Sequence, residues 1–248
     1  MTAHTDPLLA VTPPAKLPHV LDDAVRAALH GPHRAFAETH GRAVRYPADV
    51  SPFTALSDPQ DPRSWADLAE LLGPGVLAAV PRPPVPPEGW EVLQVAEVMQ
   101  LVDTALRVEP DPDAVELGPE DVPEILELIA RTQPGPFLPR TIELGLYLGI
   151  RDRGRLVAMA GERLRPPGWT EISAVCTTPE HRGRGLATRL VRAIAAGIRE
   201  RGDTPFLHVA ATNSGAIRLY EAIGFTSRRH HSIYLVRTPG RVGPETET

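Results

Sequence analysis

The stretch from Glu171 to Leu190 constrains this chain more than any other. Glu171 to Thr177 mixes β-branched and small residues with a period of two, Pro179 and a polar loop interrupt it, and a helical pattern opens among the glycines Gly183 and Gly185. The stretch therefore reads as strand, loop and helix. Leu186, Leu190, Ile194 and Ile198 recur every four residues with Val191 beside them, an apolar stripe about a third of the helix circumference wide. Arg184, Thr188, Arg192 and Arg199 fall largely off that stripe. The first N–H groups of such a helix have no intrahelical partner, and glycine lets a ligand approach them closely. With the positive end of the helix dipole they make an anion site suited to a phosphate or pyrophosphate.

Two common nucleotide loops fail on residues. A P-loop needs Lys and then Ser or Thr after its last glycine, but Gly185 is followed by Leu186 and Ala187. The dinucleotide fingerprint needs a third glycine where Thr188 stands. What remains, Arg182-x-x-Gly185-x-Ala187, resembles the (Arg/Gln)-x-x-Gly-x-(Gly/Ala) pyrophosphate loop of the GNAT (general N-acetyltransferase) superfamily. The run from Thr204 to Val209 reads as the next strand. Asn213 to Phe225 reads as the next helix, ending in Tyr220-Glu221-x-x-Gly224-Phe225, which is similar to a pattern of the same family. The resemblance spans Val115 to Val236.

It implies acetyl-CoA as acyl-donor cosubstrate, no metal, and an amine acceptor. It assigns Val175, Cys176 and Thr177 to backbone contacts with pantetheine, and Gly183, Arg184, Gly185, Leu186, Ala187 and Thr188, with Arg182, to the pyrophosphate. Asn213 falls to the pantetheine region, and Tyr220 to proton donation toward the departing sulfur. Each has a plainer reading: Asn213 as a helix N-cap, Tyr220 as a core aromatic, Cys176 as small buried packing, and the arginines as an exposed basic face. Glu171 stands 11 positions before Arg182, the spacing of the catalytic glutamate in the histone-acetylating branch of the family, and shares a strand face with Ser173, Val175 and Thr177. It is the first candidate base, against a solvated glutamate at a strand edge. Glu162 is the second.

At 248 residues the chain is long for one domain, so two are expected. Met1 to Leu17 reads as an arm. A helix follows from Val20 to Leu29, then short strands at Ala43–Tyr46 and Phe53–Leu56, a helix opened by Asp61 and Pro62 that carries Trp65, Leu68, Leu71 and Leu72, strands at Val76–Val80 and Trp90–Val95, and a third apolar run at Val98–Val102. The polar, proline-punctuated connector Val108–Asp113 sets the boundary. Residues 1–110 are expected to form a smaller α+β domain, a degenerate GNAT-like one without a CoA loop among the options. Residues 111–240 are expected to form an acetyltransferase domain, and 241–248 a disordered tail. In the second part the order of strand, helix, hairpin around Asp152-Arg153-Gly154, strand, helix, strand, helix and strand fits an α/β (α+β) class. The resemblance sharpens this to a GNAT-type mixed, mostly antiparallel twisted sheet flanked by helices.

A net charge of −5 gives no electrostatic case for nucleic acid. The single cysteine, Cys176, excludes an intrachain disulfide, and no apolar run approaches the ~18 residues of a membrane span. A cytoplasmic monomer or homodimer is expected. The functional expectation is an acetyl-CoA-dependent N-acetyltransferase acting on an amine of a small molecule or protein; the alternative is a non-catalytic acyl-CoA-binding or regulatory module.

Overall fold

The structure, a computed structural model, describes residues 19–240 apart from Arg82 and Pro84. The arm expected over Met1–Leu17 and the tail over 241–248 lie outside the described residues. In chain order the elements are α1 (Ala24–Leu29), β1 (Glu38–His40), β2 (Ala43–Arg45), β3 (Thr54–Leu56), α2 (Pro62–Leu72), β4 (Leu77–Pro81), β5 (Glu91–Asp103) and β6 (Val115–Glu116). There follow α3 (Val122–Thr132), β7 (Tyr147–Asp152), β8 (Arg155–Glu162), β9 (Trp169–Thr177), α4 (Leu186–Glu200), β10 (Thr204–Ala210), α5 (Ser214–Ile223) and β11 (Phe225–Arg237). None of the described helices is long and apolar enough to cross a membrane.

β1 to β3 form a small sheet, and the other eight strands form one large sheet in the order β4-β11-β5-β10-β9-β8-β7-β6. Its pairings are antiparallel except β9 with β10. Strand alternation sorts the two faces. Ile172 and Leu207 turn toward α4 and α5, where Leu186, Leu190, Val191, Ile194 and Ile198 present the apolar stripe seen in the sequence. Phe206 turns the other way, into a core with Leu21, Val25, Tyr46, Phe53 and Leu164. Farther along that side, Ile125 and Leu128 of α3 cover Tyr147, Met159 and Cys176.

The expected division at residue 110 is not a break in this sheet. The runs Trp90–Val95 and Val98–Val102 are one strand, β5, because Ala96 and Glu97 continue the ladder against Ile233 and Ser232. β5 lies between β10 and β11, and β4 borders β11, so two strands of the first half sit within the sheet of the second. The physical reason is that β11 has no other neighbours among the described residues, and β5, a 13-residue strand with buried Leu101 and Gln100, needs a ladder on both edges. The connector is pinned as well: the Asp111 carboxylate accepts from Arg189 Nε and Nη2 of α4, both at 2.7 Å.

Candidate functional site

The site begins where β9 and β10 part. Their parallel register runs from Trp169 opposite Thr204 to Ile172 opposite Leu207 and ends there. Just beyond, the β8–β9 register slips between Met159 opposite Cys176 and Gly161 opposite Ser173, leaving Ala174 and Val175 as a bulge, with Ala174 in the left-handed region at φ 53°. A bulge re-aims a strand and frees its backbone groups from the ladder, and a non-glycine residue held at positive φ is a constraint of the kind that gathers at functional sites. The two strands diverge around a cleft of about 490 Å³ whose lining includes Ser173, Val175, Cys176, Thr177, Asn213 and Tyr220.

Arg182 and Ala187 also line this cleft, and the glycine loop lies between them. Gly183 and Gly185 have φ of 77° and 75°, values that L side chains rarely adopt, and a Cβ on either would point into open space. Gly185 caps α4, and the first intrahelical bond runs from Arg189 N to Gly185 O at 3.1 Å. The N–H groups of Leu186, Ala187 and Thr188 therefore precede the helical ladder, as an anion cradle requires. Arg182 Nε donates to the Thr177 carbonyl at 3.3 Å, tying the loop back to β9, and Arg184 is exposed. Arg189 is ion-paired with both Asp111 and Asp113, so its charge is directed at the connector.

Asn213 caps α5, its Oδ1 accepting from Ala216 N at 3.1 Å, while it also borders the cleft. Tyr220 packs edge-on against Phe225 at 6.0 Å and reaches the cleft wall, so its core and site positions coexist. Burial, with Cys176 nearby, pushes the Tyr220 hydroxyl up to about 12. Burial likewise pushes the Cys176 thiol up to about 11, which suits packing rather than nucleophilic attack.

Neither carboxylate expected as base is free. Glu171 is fully buried: its Oε2 accepts from Arg163 Nε at 2.9 Å, and its Oε1 from Arg163 Nη2 and His208 Nδ1, both at 2.7 Å. Burial alone would raise its affinity for a proton, but Arg163 and His208 reverse this and hold it well below the usual carboxylate range. Glu171 is thus an interior anchor, not a glutamate at a solvated edge, because β10 and the segment after β8 cover both its flanks. Glu162 is buried against Arg201 Nη2 at 2.6 Å and is absent from the cleft lining.

Two residues not singled out in the sequence as site residues complete the arrangement. Arg163 and His208 line this cleft and also a second cavity of about 140 Å³ on the side of α1 and β3, bordered by Leu21, Asp22, Phe53, Gln100 and His231. Arg163 also lies over the Phe53 ring at 5.0 Å. The signal for His208 was present: it stands two positions after Phe206, and parallel pairing sets Phe206 beside Glu171. Arg163 gave no such signal, since its pairing depends on how the β8–β9 segment turns.

The site's likeness to known proteins follows the same architecture. The model of the FR47-like protein family matches residues 147–234. A solved structure named for the GNAT family, from Novosphingobium aromaticivorans, is 41% identical and superimposes with a TM-score of 0.81, covering 90% of this chain and 100% of that one. Among curated proteins, the mycothiol acetyltransferase of Thermomonospora curvata is 29% identical over 204 residues, 82% of this chain and 63% of that one. The N-alpha-acetyltransferase RimI of Mycobacterium tuberculosis is 37% identical over 82 residues, 32% of this chain and 51% of that one. The chain spans about half the length of the first curated relatives it matches. With a glycine cradle at the head of α4, a splayed β9–β10 pair and 41% identity across the whole of a GNAT structure, this chain belongs to the GNAT superfamily of acetyltransferases.

Proposed function

We propose that this protein transfers the acetyl group of acetyl-CoA to a primary amine. The observation that carries the reading is the cleft between β9 and β10, floored by a bulge and closed at one end by the glycine cradle of α4. Pyrophosphate sits on the N–H groups of Gly183 to Thr188, and pantetheine runs along Val175, Cys176 and Thr177 toward Tyr220. The acceptor enters from the opposite side, through the cavity that α1, β3 and β5 wall, so residues of the first half shape its selectivity. Names of relatives that describe acetylation, one of them of an α-amine, support an amine acceptor. The buried, unpaired Cys176 accords with a cytoplasmic location.

In the transfer step the amine nitrogen attacks the thioester carbonyl, a C–N bond forms, the C–S bond breaks, and the thiolate leaves. A hydroxyl near 12 giving its proton to a thiolate of pKa ~8.5 is uphill by about 5 kcal/mol. Tyr220 therefore stabilises the thiolate by hydrogen bonding rather than by full transfer. Tyr220→Phe keeps the ring and its contact with Phe225, and is expected to lower kcat by about tenfold to a hundredfold with acetyl-CoA affinity unchanged. A loss of stability with undiminished turnover per folded molecule would leave Tyr220 a core residue only.

Gly185→Asp tests the donor site. The variant forces a side chain into a backbone conformation at φ 75° and sets a carboxylate against the phosphates. Acetyl-CoA should raise the melting temperature of the parent and leave the variant's unmoved; equal shifts would take the cofactor off this loop. CoA release measured with a panel of amines tests the transfer itself.

A further inference from the structure

We propose that His208 takes the proton from the acceptor amine through its Nε2, and that Glu171, the residue whose place in the sequence suggested a base, acts as the positioning residue that orients it. The proposal rests on the transfer reading above.

The lining that the two cavities share consists of Arg163 and His208 among the described residues. Arginine keeps its proton in proteins, so of these two only His208 can exchange one. Its tautomer follows from its partners. The Glu171 carboxylate only accepts, so the Nδ1 of His208 carries the hydrogen in the 2.7 Å contact. The other ring nitrogen faces the amide nitrogen of Gln100 at 3.1 Å. That amide's orientation is set because its Oε1 takes Arg228 Nη1 at 2.6 Å and its Nε2 donates to the Leu21 carbonyl at 3.1 Å. Nε2 of His208 is therefore a lone pair, held toward a donor N–H. An acceptor amine presents the same kind of donor, and on entering it replaces the Gln100 hydrogen.

His208 has the setting of an oriented base. It is the first β10 residue past the end of the parallel ladder, and lies opposite Gln100 on β5. Its side chain is 9% exposed. The groups facing it are Glu171 of β9, Arg163 of the segment after β8, and the His231 ring of β11 at 5.1 Å. Arg228 and Asp22 stand behind Gln100, ion-paired at 2.7 Å, and Tyr46 and Tyr147 lie near the Arg163–Glu171 pair. When His208 takes the proton, the imidazolium rests against the Glu171 carboxylate. The acceptor ammonium gives one proton to Nε2 before attack, the lone pair so freed forms the C–N bond, the C–S electron pair goes to the thiolate, and the second proton on nitrogen passes to that thiolate.

The test measures kcat/KM against pH for the parent, His208→Asn and Gln100→Glu, with the peptide amide alanyl-alaninamide and n-butylamine as acceptors. Acetyl-CoA-induced thermal shifts control for an intact donor site. His208→Asn should lose about a hundredfold or more at pH 7, and the deficit should narrow as pH rises and the amine sheds its own proton. Gln100→Glu faces Nε2 with a carboxylate, holds the imidazolium, and should move the inflection of the profile upward by about one pH unit or more. The parent's inflection should be the same for both amines. An inflection that follows each amine's own pKa, or a His208→Asn deficit independent of pH, overturns the proposal and leaves the transfer reading standing. No CoA release from the parent with either amine overturns both, and a parent without an acetyl-CoA thermal shift places the failure at the donor site.

Discussion

A chain beginning at Asp111 is expected not to fold cooperatively, although it holds the whole glycine loop at the head of α4. β11 pairs with β4 and β5, so deleting the first half leaves it without a sheet neighbour, and β10 loses the antiparallel partner along Phe206 to Ala210. The core around Phe206 loses Leu21, Val25, Leu29, Val44, Tyr46, Val50, Phe53 and others to the deleted segment. Exposing a buried large apolar side chain costs about 2 kcal/mol, and a whole domain is stable by only ~5–15 kcal/mol. Circular dichroism and urea titration of residues 111–248 should show a broad, non-cooperative transition and no stabilisation by acetyl-CoA. A sharp transition raised by acetyl-CoA would show that the boundary legible at Val108–Asp113 is a domain boundary after all.

Arg163→Met should cost several kcal/mol, because it strips the bidentate partner from a fully buried carboxylate. Breaking such a pair from one side typically costs ~3–5 kcal/mol, whereas replacing both partners by apolar groups is often neutral. The melting temperature should fall by about 10 °C, and Arg163→Met with Glu171→Met should recover most of it. The pH dependence has a definite sign. In the parent the folded-state affinity of Glu171 for protons is lowered, so its stabilisation is present above the unfolded carboxylate range of ~4.3 and is lost as pH falls below it. In Arg163→Met the buried carboxylate prefers to be protonated, so the variant's deficit should shrink as pH falls. A loss under about 1 kcal/mol that does not change with pH would mean that the pair is as weak as a surface salt bridge.

What the sequence determined was local. The spacing of Leu186, Leu190, Ile194 and Ile198 defined α4 and its buried face, since a helix exposes its period in any fold that buries one side of it. Gly183 and Gly185 marked the cradle, because positive φ next to open space is a demand that few other residues meet. The hairpin of β7 and β8 and the strand–helix–strand–helix run after it were legible for the same reason: their signals lie within one or two elements. The tertiary structure decided what depends on pairing at long range. Trp90–Val95 and Val98–Val102 gave no hint that they were one strand of the second half's sheet, because strand partners are chosen by ladder and burial, not by neighbours in sequence. The surroundings of Glu171 were hidden in the same way. Period two put it on one face of β9 with Ser173, Val175 and Thr177, but only the fold brought Arg163 from 8 residues upstream and His208 from 37 downstream to engage both oxygens of its carboxylate.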